Sequence, residues 1–226
     1  MNRLYLDIET LPTVNPDHIA DIAASVTPLG NISKADTIAA WEAEKKPALV
    51  TEAVAKTSFN GAYGRVCCVG WAWNDASPQS LHLVDNEGNL LRSVNALIEA
   101  QRPKVDAFHQ TQIIGHYVAD FDIRFLWQRA FVLGVKMPAW FPRDPKPWSK
   151  EVFDTMHAWA GAKGSISLDN LCKALGIEGK TGVDGSMVAG MWADGKHKEV
   201  GEYCIEDVER VRNVHRKMQI ALGERE

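Results

Sequence analysis

The chain has 226 residues, 46% of them apolar, which is enough for one substantial buried core. Its 29 acidic and 25 basic residues leave a formal net charge of −4; this excludes a protein that coats nucleic acid through general electrostatics, so any nucleic-acid partner has to be held locally. No charged N-terminal segment leads into an apolar run, and no stretch reaches the roughly 18 apolar residues of a membrane span, so a soluble, cytoplasmic, single-domain protein is expected.

Residues 3–8 (RLYLDI) form a short apolar run with a carboxylate near its end, the pattern of a central strand whose C-terminal edge opens onto a site. Asp7 and Glu9 stand two apart, so on a strand their side chains share one face. Side by side they repel unless a cation separates them; the alternative is solvent-facing charge. From 11 to 63 the text changes to scattered prolines, Ala-rich patches and the pair Lys45 and Lys46, which marks an insertion, helical around 37–46. Residues 65–73 (RVCCVGWAW) resume β structure, closed by Asn74 and Asp75, and 80–84 supply an antiparallel partner in a meander. Helical spacing of apolar residues follows over 89–101, then a short strand over 112–116 that ends at Gly115.

A helix over 121–131 turns Phe125, Leu126 and Ala130 inward and stops at Gly134. It puts Asp122 at its start, able to reach the C-terminal edge of the sheet; the competing explanation is favourable charge at a helix N-terminus, a role for which Asp120 is better placed. Residues 138–148 (PAWFPRDPKPW) are loop, and 151–153 read as a fifth strand. Ser167 is the expected N-cap of a helix over 168–175, with Gly176 just past its end and a glycine-rich loop over 179–185. The last helix spans 198–222 and carries Tyr203 and Asp207 four apart, hence on one face; singly, these two also fit a core tyrosine and a surface aspartate. The four cysteines form no CxxC pair and read as small apolar core residues, free thiols in a reducing compartment. Strands early, helices interleaved and helices last describe an α/β layer fold with a mixed sheet.

Asp7 and Glu9 on the first strand, Phe121-Asp122 after the fourth, and Tyr203 one turn before Asp207 resemble, as a set, the DEDD superfamily of ribonuclease H-like 3'-to-5' exonucleases. They match its tyrosine branch: where the histidine branch carries His, five residues before the last Asp, this chain has Glu202. The stretch SLDNLCKALGI followed by GKTGVDGSMVAGMWADGKHKEVGEYCIEDVERV is similar to stand-alone exonucleases related to the proofreading domain of family B DNA polymerases. The resemblance covers residues 3–10, 65–73, 112–127 and 150–216. It implies a ribonuclease H-like fold with a central five-stranded mixed sheet flanked by helices, as one exonuclease domain over 1–226 interrupted at 11–63 and at a Pro/Trp-rich loop over 135–148.

The resemblance also implies chemistry. Two Mg2+ or Mn2+ ions are expected on Asp7, Glu9, Asp122 and Asp207, with Asp7 bridging both, Glu9 and Asp207 on the nucleophile side, and Asp122 serving the other ion through water. Oxygen donors suit these hard cations, and the lack of Cys/His ligand clusters argues against zinc. Tyr203, with an ordinary phenol pKa of about 10, is a poor base and is expected to orient the attacking water instead. Thr10 and Leu11 are expected at the terminal nucleotide and His116 and Tyr117 along the groove, although the family commonly carries Asn where this chain has Tyr117. Lys136, Arg143, Lys146, Lys150 and Lys163 are candidates for phosphate contacts, beside Trp140 and Trp148 for stacking bases. The expected substrate is a single-stranded DNA 3'-end, with an unidentified replication or repair protein as a further partner. The alternatives are an RNA 3'-trimming enzyme, a catalytically silent binding module of the same fold, and an internal cutter of the resolvase or ribonuclease H kind.

Overall fold

Alternation along the first strand sorts the core into two faces. In the computed structural model, which describes residues 1–31, 34–104, 111–161, 163–179, 182 and 184–224, this strand is β1 (Asn2–Leu11). Its even positions Leu4, Leu6 and Ile8 are buried in the main apolar cluster, while Tyr5 belongs to a separate cluster on the opposite face, the one shared by Asp7 and Glu9. β2 (Arg65–Trp73), β3 (Gln79–His82), β4 (Thr111–Gly115) and β5 (Val152–Asp154) complete a five-stranded sheet in the order β3-β2-β1-β4-β5. β2 and β3 run antiparallel, whereas β1 with β4 and β4 with β5 run parallel, so the sheet is mixed and β1 is its centre.

The packing divides the chain into two compact units, Met1–Glu9 with Val66–Glu226, and Thr10–Arg65. The second unit holds α1 (Pro16–Ser25), α2 (Ala35–Glu44) and α3 (Lys46–Lys56). The helix expected around 37–46 is α2, whereas α1 and α3, the latter beginning after Lys45 with Pro47 in its first turn, were not expected.

In the first unit α4 (Glu87–Gln101) and α5 (Asp122–Leu133) cover the even face of β1, joining Leu90, Leu91, Val94, Ile98, Ile123, Phe125 and Leu126 to the main cluster. α6 (Thr155–Ala160), α7 (Leu168–Ala174), α8 (Val188–Ala193) and α9 (His197–Ala221) follow. α9 lies on the other face, where Val208 and Val211 pack with Tyr5, Ala72 and Ile114, and its next turn seats Val214 against Leu171 and Cys172 of α7. α5 ends as expected at Gly134, in the left-handed conformation (φ 62°) that favours glycine, and Ser167 caps α7 by accepting from the Asn170 N–H. The short helices α6 and α8 were not foreseen, and the glycine-rich segment over 179–185 lies partly outside the described residues.

One close approach sets where α9 can lie. A Cβ added at Gly70 of β2 would stand 2.8 Å from Cys204 Sγ and 3.1 Å from the Cys204 carbonyl oxygen, so only glycine lets the helix bearing Tyr203 and Asp207 settle this near the sheet. Away from the site, the buried Glu87 at the start of α4 takes Arg129 of α5 in a two-point pair, Nε to Oε1 at 2.9 Å and Nη2 to Oε2 at 2.7 Å. The Val66 N–H donates to the same Oε1, which locks β2, α4 and α5 together. Among the described residues no helix is long and apolar enough to cross a membrane.

Candidate active site

Asp7 and Glu9 project from the β1 face that α9 covers, and the helix brings Cys204 to them: ligand atoms of Asp7, Glu9 and Cys204 all lie within 4.8 Å of one another. Two full carboxylate charges at that separation repel by at least about 3 kcal/mol at an effective dielectric near 20. Asp122 enters from the first position of α5, its Oδ1 accepting the Ile8 N–H at 3.0 Å and so tying the helix start to β1 between the two acidic residues. Tyr203 and Asp207 come from α9, hydrogen-bonded to each other through their side chains. Asp122, Asp207 and Tyr203 are all at least nine-tenths buried, and Glu9 is buried at their side.

The electrostatics follow from burying like charges together. Desolvation first, and then the charges of Glu9, Asp207 and Asp122, hold the Asp7 carboxyl well above the usual carboxylate range. Desolvation likewise pushes Asp122 up to about 8, with Asp154 and Asp207 adding to it and the backbone N–H donors opposing. Burial and then the negative field of Asp207, Glu9 and Asp7 drive the Tyr203 phenol far above its ordinary value, so it stays protonated. These five side chains therefore feel one another directly: the structure brings Asp7, Glu9, Asp122, Tyr203 and Asp207 into a single cluster.

A divalent cation fits the donors present. Crowded carboxylates whose pKa values are raised by burial and then by one another's charge match hard oxygen-seeking ions, and Cys204, burial having raised its thiol well above the usual range, is neutral and donates to Asp7 Oδ2 at 3.3 Å. The core role expected of Cys204 thus holds only in part, since its sulfur also steers a site carboxylate. Arg210, one turn beyond Asp207 and 6% exposed, donates to Asp207 Oδ1. Neither partner signal was visible beforehand: a Cys next to Tyr and an Arg three after Asp carry no pattern until the helix is laid on the sheet.

The expected substrate contacts fare unevenly. Both ring nitrogens of His116 are engaged inside the fold, Nδ1 with Thr155 Oγ1 at 3.0 Å and Nε2 with the Ile166 carbonyl at 2.8 Å, which makes it a staple between β4, α6 and the segment before α7. Tyr117 is 43% exposed, with φ 62°, and its N–H donates to Asp154 Oδ1. In the second unit Thr10 donates its hydroxyl to the Ser58 carbonyl at 2.8 Å, and Leu11 is buried. In the loop, Trp140 packs at a tilt near Trp73, donates to Glu99 and lies under Arg102, while Arg143 and Lys146 line a cavity of about 690 Å³ that none of the four carboxylates lines. Trp148, by contrast, is 76% exposed.

Residues 64–224 match the family model of predicted 3'-5' exonucleases related to the exonuclease domain of PolB. Among solved structures the chain is similar to the family B DNA polymerase of the hyperthermophilic archaeon Pyrobaculum calidifontis, with a TM-score of 0.60 at 15% identity over 96% of this chain. The match spans 24% of the polymerase chain, and at that identity it speaks for the fold, the ribonuclease H-like α/β arrangement expected from the sequence. Comparison with curated proteins gives no match.

Proposed function

The chain belongs to the family of predicted 3'-5' exonucleases related to the exonuclease domain of PolB, and on that premise we propose that it removes nucleotides from single-stranded DNA 3'-ends by hydrolysis assisted by two divalent cations, Mg2+ or Mn2+. Four carboxylates from β1, α5 and α9, crowded around one protonated phenol, support this reading more than any other feature. When bound, the cations lower the pKa of a water and steady the leaving 3'-oxygen.

Asp7, Glu9, Asp122 and Asp207 are the proposed ligands. Cys204 restrains one oxygen of Asp7, and Arg210 takes Oδ1 of Asp207, which directs the rest of each carboxylate toward the shared centre. Tyr203 keeps its proton and cannot act as a base; tied to Asp207, it holds the attacking water by hydrogen bonding. Tyr117, exposed beside the site, is assigned to the substrate, whereas His116 holds the loop that presents it. Thr10 and Leu11 are assigned to the terminal nucleotide by resemblance alone. We read Thr10–Arg65 as an insertion in a single exonuclease domain, and the four buried free thiols suit a reducing, intracellular compartment.

The test uses a linear single-stranded DNA, an RNA of the same sequence, and a circular single strand, each with Mn2+. Mononucleotides released from the linear DNA 3'-end, with the circle intact and RNA slower, are expected. Cleavage of the circle would overturn the exonuclease assignment in favour of an internal cutter, and faster loss of RNA would overturn the DNA preference.

A further inference from the structure

Beyond the cluster, one strip of surface carries exposed aromatic rings that no step of the hydrolysis uses. Tyr117 lies in the turn between Gly115, the end of β4, and Asp122, the start of α5, and its N–H donates to Asp154, whose charge reaches Asp122. A non-glycine residue at φ 62° is uncommon; here the N–H bond to the buried Asp154 holds it, so the ring is fixed in place rather than free to fold away. It stacks on His157 of α6, with ring centroids 6.2 Å apart and planes 23° from parallel. His157 is in turn fixed by Asp120, Nε2 to Oδ2 at 3.0 Å. His157 also lines a cavity of about 390 Å³ together with Trp148, Lys150 and Phe153. Trp148 offers most of its indole to solvent, and Lys150 has no ion-pair partner among the described residues.

The charges on this strip permit a polyanion. Asp154 is buried with its oxygens taken by backbone N–H groups of Tyr117, Ala119, Met156 and His157, and Asp120 is paired with Arg124 and hydrogen-bonded to His157, so neither turns a bare carboxylate outward. What remains outward is rings and an ammonium, the combination that binds single strands by stacking bases and neutralising phosphates without reading sequence. Paired bases have no free face to offer such a strip.

We infer that Tyr117, backed by His157, and Trp148, with Lys150, form the track that holds the nucleotides 5' to the cleaved bond, the single strand running from the carboxylates over Tyr117 to the indole of Trp148. This rests on the nuclease reading above and adds the strand's path and the origin of the single-strand preference.

The experiment compares wild type, Trp148→Ala, Trp148→Phe and Lys150→Gln on a dodecathymidylate and on the p-nitrophenyl ester of thymidine 5'-monophosphate, which is too short to reach Trp148. Binding of the dodecamer in Ca2+ is read in parallel by fluorescence anisotropy. Loss of one stacked base predicts that Trp148→Ala raises the dodecamer KM and Kd about tenfold. Trp148→Phe should restore most of this, Lys150→Gln should weaken binding and flatten its salt dependence, and the short ester should be turned over as by wild type. Unchanged dodecamer KM and Kd in Trp148→Ala, with ester hydrolysis present, would overturn the track and leave the nuclease reading standing. Failure of wild type to hydrolyse either substrate would overturn the nuclease reading and the track with it.

Discussion

On the proposed ligand set, the raised pKa of Asp122 should make metal affinity a steep function of pH. In the folded, metal-free protein this carboxyl keeps its proton up to about 8, whereas an exposed aspartate loses it near the ordinary value of 3.8. Below pH 4 both states are protonated and the group contributes nothing. From about 4 to about 8 the unfolded chain has released a proton that the fold retains, so metal-free stability falls by about 1.4 kcal/mol per pH unit over this window. A cation entering the site has to displace that proton. At pH 6, two units below the folded pKa, this displacement costs about 2.7 kcal/mol, so apparent affinity should be about fiftyfold weaker than at pH 8, where half of the carboxyls are already ionised, and should level off above it. Asp7, raised as well, can only steepen the slope. Calorimetric titration of Mn2+ at pH 6, 7 and 8, in buffers of different ionisation enthalpy, reads both the affinity and the protons released. Asp122→Asn should remove one of those protons and flatten the dependence. A change of less than threefold between pH 6 and 8 in wild type would refute the reasoning.

Other outcomes follow from single contacts. Tyr203→Phe removes the phenol proposed to hold the water, and kcat should fall about a hundredfold with the Mn2+ affinity unchanged, as steady-state kinetics and the same titration would report. Arg129→Met strands a buried Glu87 and should cost about 3–5 kcal/mol in urea unfolding, most of it recovered when Glu87→Gln is added. Gly70→Ala drives a methyl into Cys204 and Val208, and should cost about 1–3 kcal/mol while lowering activity through the displaced α9; adding Cys204→Ala should return part of both.

Much of the frame was legible because period-two and helical patterns are local. The strands, the stop at Gly134 and the cap at Ser167 follow from residues next to one another, and the spacing of Asp7 with Glu9 and of Tyr203 with Asp207 already fixes shared faces. What sequence could not supply was who meets across elements. Cys204 reads as core until the absence of a side chain at Gly70 lets it reach Asp7, and nothing in the sequence singles out Arg210 until the helix buries it against Asp207. The two loop tryptophans look alike in the text, yet Trp140 turns in toward Trp73 and Arg102 while Trp148 turns out. In the second unit, α1 spans only ten residues and buries none of them, so no long apolar run announced it in the sequence.

The most direct test of the account is a time course on 5'-labelled single-stranded DNA in Mg2+, Mn2+ and EDTA, with wild type and Asp7→Ala side by side. The account predicts a ladder shortening from the 3'-end with either metal, abolished by EDTA and by the substitution, while Asp7→Ala still binds the DNA in Ca2+. DNA bound tightly by wild type with no ladder in either metal, or a ladder that survives Asp7→Ala, would contradict it.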